Sequence, residues 1–149
     1  MQQVDKIDSV LKLKGAQIWS VAPTATVYEA IEKMSAKGVG ALLVLEDGRL
    51  AGIISERDYA RKVILRDRSS KQTQVREIMT SPVVTATPLH SVEECMRTMT
   101  ENRVRHLPVV DRDKVVGIIS IGDLVNWIIS AHEETIGHLQ SYIAGNYPG

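Results

Sequence analysis

The chain has no phenylalanine and a single cysteine, Cys95, among its 149 residues. One cysteine excludes an intrachain disulfide, so stability has to come from the core, and a cytoplasmic location suits it. With aromatics at only 4%, that core must be packed from Val, Ile, Leu, Met and Ala. Neither sign of charge is in excess. Lys and Arg number 18, as do Asp and Glu, which gives no global field toward nucleic acid or an anionic membrane. No apolar run nears the ~20 residues that a membrane-spanning helix needs. His90, His106, His132 and His138 show no tight ligand spacing, so no structural metal is expected. A GxxxxGK[ST] phosphate loop and a GxGxxG fingerprint are both missing. Cys95 has no base beside it in the pattern. The chain is therefore expected to be no enzyme and to carry no catalytic cofactor.

What the chain does have is a stretch that occurs twice. Gly52-Ile53-Ile54-Ser55-Glu56-Arg57-Asp58 returns as Gly117-Ile118-Ile119-Ser120-Ile121-Gly122-Asp123, an offset of 65 residues. The same offset carries Pro23 onto Pro88, Val27 onto Val92, Met34 onto Met99 and Val44 onto Val109, without a gap from Lys14 to Asp123. A fixed period with matched chemistry marks internal duplication.

Each copy reads as strand, helix, strand, strand, helix. In the first, Ile18 to Val21 is a brief strand ended by Pro23. Thr26 and Glu29 form a capping box, and Val27, Ala30, Ile31 and Met34 stripe a helix to about Lys37. Ala41 to Leu45 is a buried strand, Asp47-Gly48 a tight turn, and Leu50 to Ser55 the returning strand. A two-residue loop pairs 45 with 50, 41 with 54 and 40 with 55. A second helix runs from Ser55 to about Arg66, and polar Asp67 to Gln74 reads as a linker. The second copy has a strand at Val83 to Thr85, a Ser91–Glu94 box and a stripe of Val92, Cys95, Met96 and Met99. Its hairpin is His106 to Val110 with Val115 to Ser120, and its last helix starts near Ile121. Cys95 reads as a small core residue. Val4, Ile7, Val10 and Leu11 predict a short helix over 3–14, and Ile136, Leu139 and Ile143 another in the tail. The expected division is 10–73, 74–137 and a tail over 138–149. One unit exposes a face of its small sheet, so two related by a pseudo-twofold cover each other in an α+β fold.

Two Ser–Asp pairs stand out. Ser55 with Asp58, and Ser120 with Asp123, sit three apart at a helix start. Locally each is a capping box worth about 1 kcal/mol. As a site, an ionised Asp beside free N–H groups accepts both hydroxyls of a ribose. The roles are compatible. Arg105 and His106 fall, by hairpin register, beside Ser120 and Ile119. They read as a solvated Arg and a packed His, or as phosphate ligands, with Arg supplying fixed donors. Arg57, where the second copy has Gly122, is a further phosphate candidate or a plain exposed arginine.

The stretches LLVLEDGRLAGIISERD, RVRHLPVVDRDKVVGIISIGDL and VREIMTSPVVTATP resemble a tandem pair of cystathionine-beta-synthase (CBS) domains, over residues 10 to 135. The resemblance implies two βαββα repeats with clefts between them that bind adenosine-containing ligands: AMP, ADP, ATP, NAD or S-adenosylmethionine. AMP, ATP or NAD is the expected ligand. It also implies a regulatory, energy-sensing role that reports to an unknown protein partner, and a homodimer. The apolar Leu124, Val125, Trp127, Ile128 and Ile129 of the last helix fit that dimer. By the same resemblance, the backbones of Ser20 and Thr85 meet an adenine edge, and Val21, Ala41, Ile54, Pro108 and Ile119 supply contact; taken singly, each reads as plain strand packing. The rival is a purely structural dimerisation module that ignores nucleotides.

Overall fold

The computed structural model describes residues 5–15 and 17–131; Val4 and the tail helix expected around Ile136 lie outside them. The order is α1 (Ile7–Lys14), β1 (Ser20–Val21), α2 (Val27–Lys37), β2 (Ala41–Glu46), β3 (Arg49–Ser55), α3 (Glu56–Lys62), a 3-10 turn (Ile64–Arg66), α4 (Val75–Ile78), α5 (Val92–Asn102), β4 (His106–Asp111) and β5 (Lys114–Ser120). Residues 121–131 are helical and are called α6. The first sheet runs β1-β2-β3, with β1 parallel to β2 and β2 antiparallel to β3. The second is the β4-β5 hairpin.

The helix starts follow from local chemistry. Thr26 Oγ1 accepts from Glu29 N at 3.1 Å and Ser91 Oγ accepts from Glu94 N at 3.0 Å, with the glutamates returning to the cap N–H groups. Such a box satisfies two orphan donors at once. Both hairpin turns have two left-handed residues, Asp47 and Gly48 in one and Arg112 and Asp113 in the other, as a two-residue loop with the strands' own twist requires.

The hairpin register departs from the simple count. Leu45 pairs with Leu50, but Ala41 pairs with Ser55 and Leu42 with Ile54. Likewise His106 pairs with Ser120 and Leu107 with Ile119. Ala51 and Val116 are the extra residues of matching bulges, which shift everything beyond them by one position. The shift lets Gly40 O accept from Glu56 N at 3.0 Å and Arg105 O from Ile121 N at 2.8 Å, so each strand start is pinned to a helix start.

Three expected spans also differ. Val83 to Thr85 is not a strand; only Ala86 bridges, to Val109, between prolines at 82 and 88 that lack donors. The helix after Ser55 ends at Lys62, where the chain turns to bury Val63 in the first core. The span from Asp67 to Gln74 is no loose linker. Thr73 is buried, and the carbonyls of Ser70 and Thr73 accept from Tyr28 N and Val27 N at the start of α2.

The two cores are completed crosswise. Ile7, Val10 and Leu11 of α1, which precede the first repeat, pack with Cys95, Met99, Leu107, Ile119 and Leu124 of the second. Val75 and Ile78 of α4, at the very start of the second repeat, pack with Val27, Met34, Leu42 and Ile54 of the first. Burying side chains of this size stabilises by about 1.5–3 kcal/mol each. Backbone bonds repeat the exchange: Ile7 N donates to His90 O, and Val75 N to Ala25 O.

This crossing explains the repeated glycines. A Cβ on Gly52 would lie 2.6 Å from Met79 Sδ and 3.0 Å from Thr80 O, and one on Gly117 would lie 2.5 Å from Leu11 Cδ2. Gly117→Ala meets only a flexible side-chain end, whereas Gly52→Ala also meets backbone. Both should destabilise, by about 1–3 kcal/mol, with Gly52→Ala the worse. Urea denaturation of the two variants checks the order.

Candidate functional site

The crossing brings the end of β3 and the start of α3 against the segment that follows α4, and both against the end of α5. A cavity of about 530 Å³ opens there. One wall holds Ile53, Ser55, Glu56, Arg57, Asp58, Arg61 and Lys62, a second Thr80, Val83 and Val84, and a third Asn102 to His106, with Gly40 beside them. Such a volume suits a small-molecule ligand.

Asp58 forms the anionic corner. Its Oδ2 accepts from Ser55 N at 2.9 Å and from Ser55 Oγ at 3.0 Å, and Asp58 N donates to Ser55 Oγ at 3.2 Å. Its Oδ1 faces Lys62 Nζ at 3.1 Å and the Thr80 hydroxyl at 3.5 Å. A carboxylate has about four lone-pair positions: the cap takes two on Oδ2, and the two on Oδ1 go to Lys62 and Thr80, which themselves line the cavity and are the partners a ligand hydroxyl would replace. Asp123 makes the matching cap, accepting from Ser120 N at 2.8 Å and donating to Ser120 Oγ at 3.1 Å. There Lys14 Nζ, from α1, lies 2.6 Å from Asp123 Oδ2 and donates to Ile118 O at 2.7 Å. Burial alone would raise the Asp123 carboxyl, but the Lys14 and Ser120 hydrogen bonds outweigh it and hold the group below its usual range.

Of the residues singled out in the sequence, the cavity gathers Ser55, Arg57, Asp58, Arg105 and His106. Two repeats therefore serve one cleft, and Arg105 and His106, whose cleft the sequence left open, face the one that holds Ser55, Arg57 and Asp58. Ser120 and Asp123 lie away from this cavity, at the equivalent junction. Ile54, Ala41, Pro108 and Ile119 are core, because strand alternation turns Ile53, not Ile54, to the cleft. Val21 packs on the first core, Ser20 pairs with Leu43, and exposed Thr85 leaves the lining to Val83 and Val84.

Sequence reasoning missed Arg61, Lys62, Thr80, Asn102 and Arg103. Arg103 had a readable signal. It stands 65 residues after Gly38, the left-handed cap of α2. Arg103 takes that same conformation, φ 55° and ψ 41°, which costs a side-chain-bearing residue about 1–2 kcal/mol. Strain of this kind concentrates at functional sites.

Two titratable groups behave differently from their exposed forms. Burial first, then the Lys14 charge, push His106 toward its neutral form; Asp123 opposes this and Arg105 adds to it. Cys95, 2% exposed, is raised to about 11 by burial and then by Glu94, so the thiol stays protonated and inert. Among the described residues no group of three or more His, Cys, Asp and Glu is placed to hold a metal ion, and no helix is long and apolar enough to cross a membrane.

Residues 15–65 and 75–130 each match the CBS domain family. The mitochondrial CBS domain-containing protein CBSX3 of Arabidopsis thaliana is 42% identical, over 95% of this chain and 73% of its own. A solved structure of a protein with CBS domains from Burkholderia ambifaria MC40-6 is 51% identical, with TM-score 0.82 over 84% of this chain and 94% of that one. A hexameric CBS-CP12 protein from bloom-forming cyanobacteria is 28% identical, with TM-score 0.75 over 84% of this chain and 72% of its own.

Two stability predictions follow from the site. Replacing Arg103 with Gly should stabilise the fold by about 1 kcal/mol, measured by urea denaturation. His106 is held below its ordinary range, near 6.5, so the unfolded chain takes up this proton first as pH falls. Its contribution is full above that value and is lost as pH drops through the folded pKa. His106→Gln should flatten the decline of melting temperature below about pH 6.5; a decline as steep as in wild type assigns it to other groups.

Proposed function

The chain belongs to the CBS-domain family, whose pairs are regulatory modules, and from that premise we propose that it binds an adenosine nucleotide (AMP, ATP or NAD) in the cleft of Asp58. One observation carries this reading. The Asp58 carboxylate, whose Oδ1 meets the cavity-lining Lys62 and Thr80, and a set of cationic side chains face one cavity of about 530 Å³ from different segments. A nucleotide presents that combination: paired ribose hydroxyls at one end and phosphate at the other. Asp58 accepts the hydroxyls. Arg57, Arg105 and His106 meet phosphate. Val83, Val84 and Ile53 offer the base apolar contact. Val83 and Val84 come from the segment that follows α4, so occupancy reaches the crossed core directly. A change there is what a protein partner reads, with no turnover involved. The single thiol, Cys95, fits a cytoplasmic setting.

The second element of the reading is a homodimer. Val125 and Ile129 of α6 are 39% and 56% exposed, on a helix whose other side, through Leu124, fills the second core. Apolar surface of this kind fits a self-association face, and the purely structural reading would rest on it alone. Trp127 packs against that core, so its replacement mixes folding with assembly. Ile129→Glu is the cleaner test. It should shift sedimentation equilibrium at micromolar protein from twice 16.5 kDa to the single-chain mass; an unchanged mass places the interface elsewhere.

Titration calorimetry with AMP tests the nucleotide. Asp58→Ala removes charge-assisted hydrogen bonds worth about 1.5–3 kcal/mol, a roughly 10- to 150-fold weaker site, at about 1 kcal/mol in stability. Phosphate beside His106 favours its charged form, so binding near neutral pH should take up a proton and weaken as pH rises. Heats in buffers of different ionisation enthalpy measure that uptake, and His106→Gln should abolish it. AMP affinity unchanged in Asp58→Ala leaves the aspartate a helix cap and nothing more.

A further inference from the structure

Resting on the nucleotide reading, we infer that the Asp58 cleft selects a polyphosphate, so that affinity rises from AMP through ADP to ATP. The cavity is lined by five permanent cations, Arg57, Arg61, Lys62, Arg103 and Arg105, and by two carboxylates, Glu56 and Asp58. Lys62 is paired with Asp58 at 3.1 Å. The four arginines make no ion pair among the described residues, as Arg49, Arg66, Arg76 and Arg112 outside the cleft make none, so their charge faces the cavity without a protein counter-ion. Four guanidinium groups against one remaining carboxylate leave a net charge of about three to neutralise. A monophosphate carries less than that, and a triphosphate matches it.

Exposed arginines are commonly just solvated, but the duplication supplies an internal control. At an offset of 65, the positions of Arg57, Arg61, Arg103 and Arg105 hold Gly122, Asn126, Gly38 and Gly40. The repeat fold therefore forms without a cation at any of the four. They come from two segments, α3 and the turn after α5, and converge on one cavity. Arg103 stands at the left-handed cap of α5, where the first repeat has glycine and no side chain. Guanidinium groups also offer paired donors to phosphate oxygens, which fits successive phosphates better than point charges do. The equivalent junction at Asp123 has Lys14 on its carboxylate and none of these arginines, so polyphosphate selection belongs to one cleft.

The test compares AMP, ADP, ATP and inorganic tripolyphosphate by titration calorimetry at fixed salt, on wild type, Arg103→Gly, Arg105→Ala and Asp58→Ala. Wild type should bind ATP at least tenfold more tightly than AMP, with the steeper loss of affinity as salt rises. Arg103→Gly and Arg105→Ala should each shrink the ATP-to-AMP ratio severalfold while AMP changes less. Arg103→Gly restores the residue of the other repeat and should fold; Arg105→Ala is the second arm. Equal affinities for AMP and ATP, or a ratio unmoved by both arginine variants, overturn the inference and leave the nucleotide reading standing. Tripolyphosphate binding as tightly as ATP, with ATP affinity unchanged in Asp58→Ala, refutes the nucleoside part and shows a polyanion site instead.

Discussion

The exchange of lead-in segments is the constraint on which the rest of this structure depends. Neither repeat closes its own core. The first is completed by Val75 and Ile78, and the second by Ile7, Val10 and Leu11. Because the apolar side chains that fill one half are attached to the other, the halves should fold together. Glycine at 52 and 117 is what lets those segments lie flat on the sheets, so the most repeated residues of the sequence serve the crossing before they serve any ligand.

The same exchange builds the two junctions and, at the first, the cavity. Each segment leaves the opposite core at the point where a strand gives way to a helix, and there it forms one wall of a junction. The two junctions have diverged in detail. At the first, α4 is one turn long and Thr80 returns to pair with Ile53. At the second, α1 is eight residues long and ends at Lys14, whose ammonium takes both the Ile118 carbonyl and the Asp123 carboxylate. Duplication supplied two equal frames, and side-chain chemistry made them unequal.

Capping and recognition share residues at these junctions. Asp58 and Asp123 hold backbone N–H groups of their own helix starts, and Asp58 does so while lining the cavity, so the site is rigid at little cost to stability. Arg103 is the opposite case. Its left-handed backbone is tolerable only because the α5 cap still forms, with its N–H donating to Met99 O and Thr100 O.

Local rules were enough for much of this protein. Capping boxes at Thr26, Ser55, Ser91 and Ser120, the Asp47-Gly48 turn and the stripes through Met34 and Met99 are short-range patterns, and each is present. The period of 65 marked the duplication and the junction where function was expected, and the motifs inside it carried the resemblance to the family. What the sequence misplaced depends on pairing at a distance. One bulge residue, Ala51 or Val116, moves every partner beyond it by one position, and strand alternation then exchanges Ile53 for Ile54 at the cleft. That Arg105 and His106 join Ser55 and Asp58 in a single cavity was not legible either, because it follows from the crossing, and periodicity carries no information about which half a buried stripe will cover. Composition, caps and turns are decided within a few residues of the chain; the cleft is decided by which core each lead-in segment fills, and only the packed pair settles that.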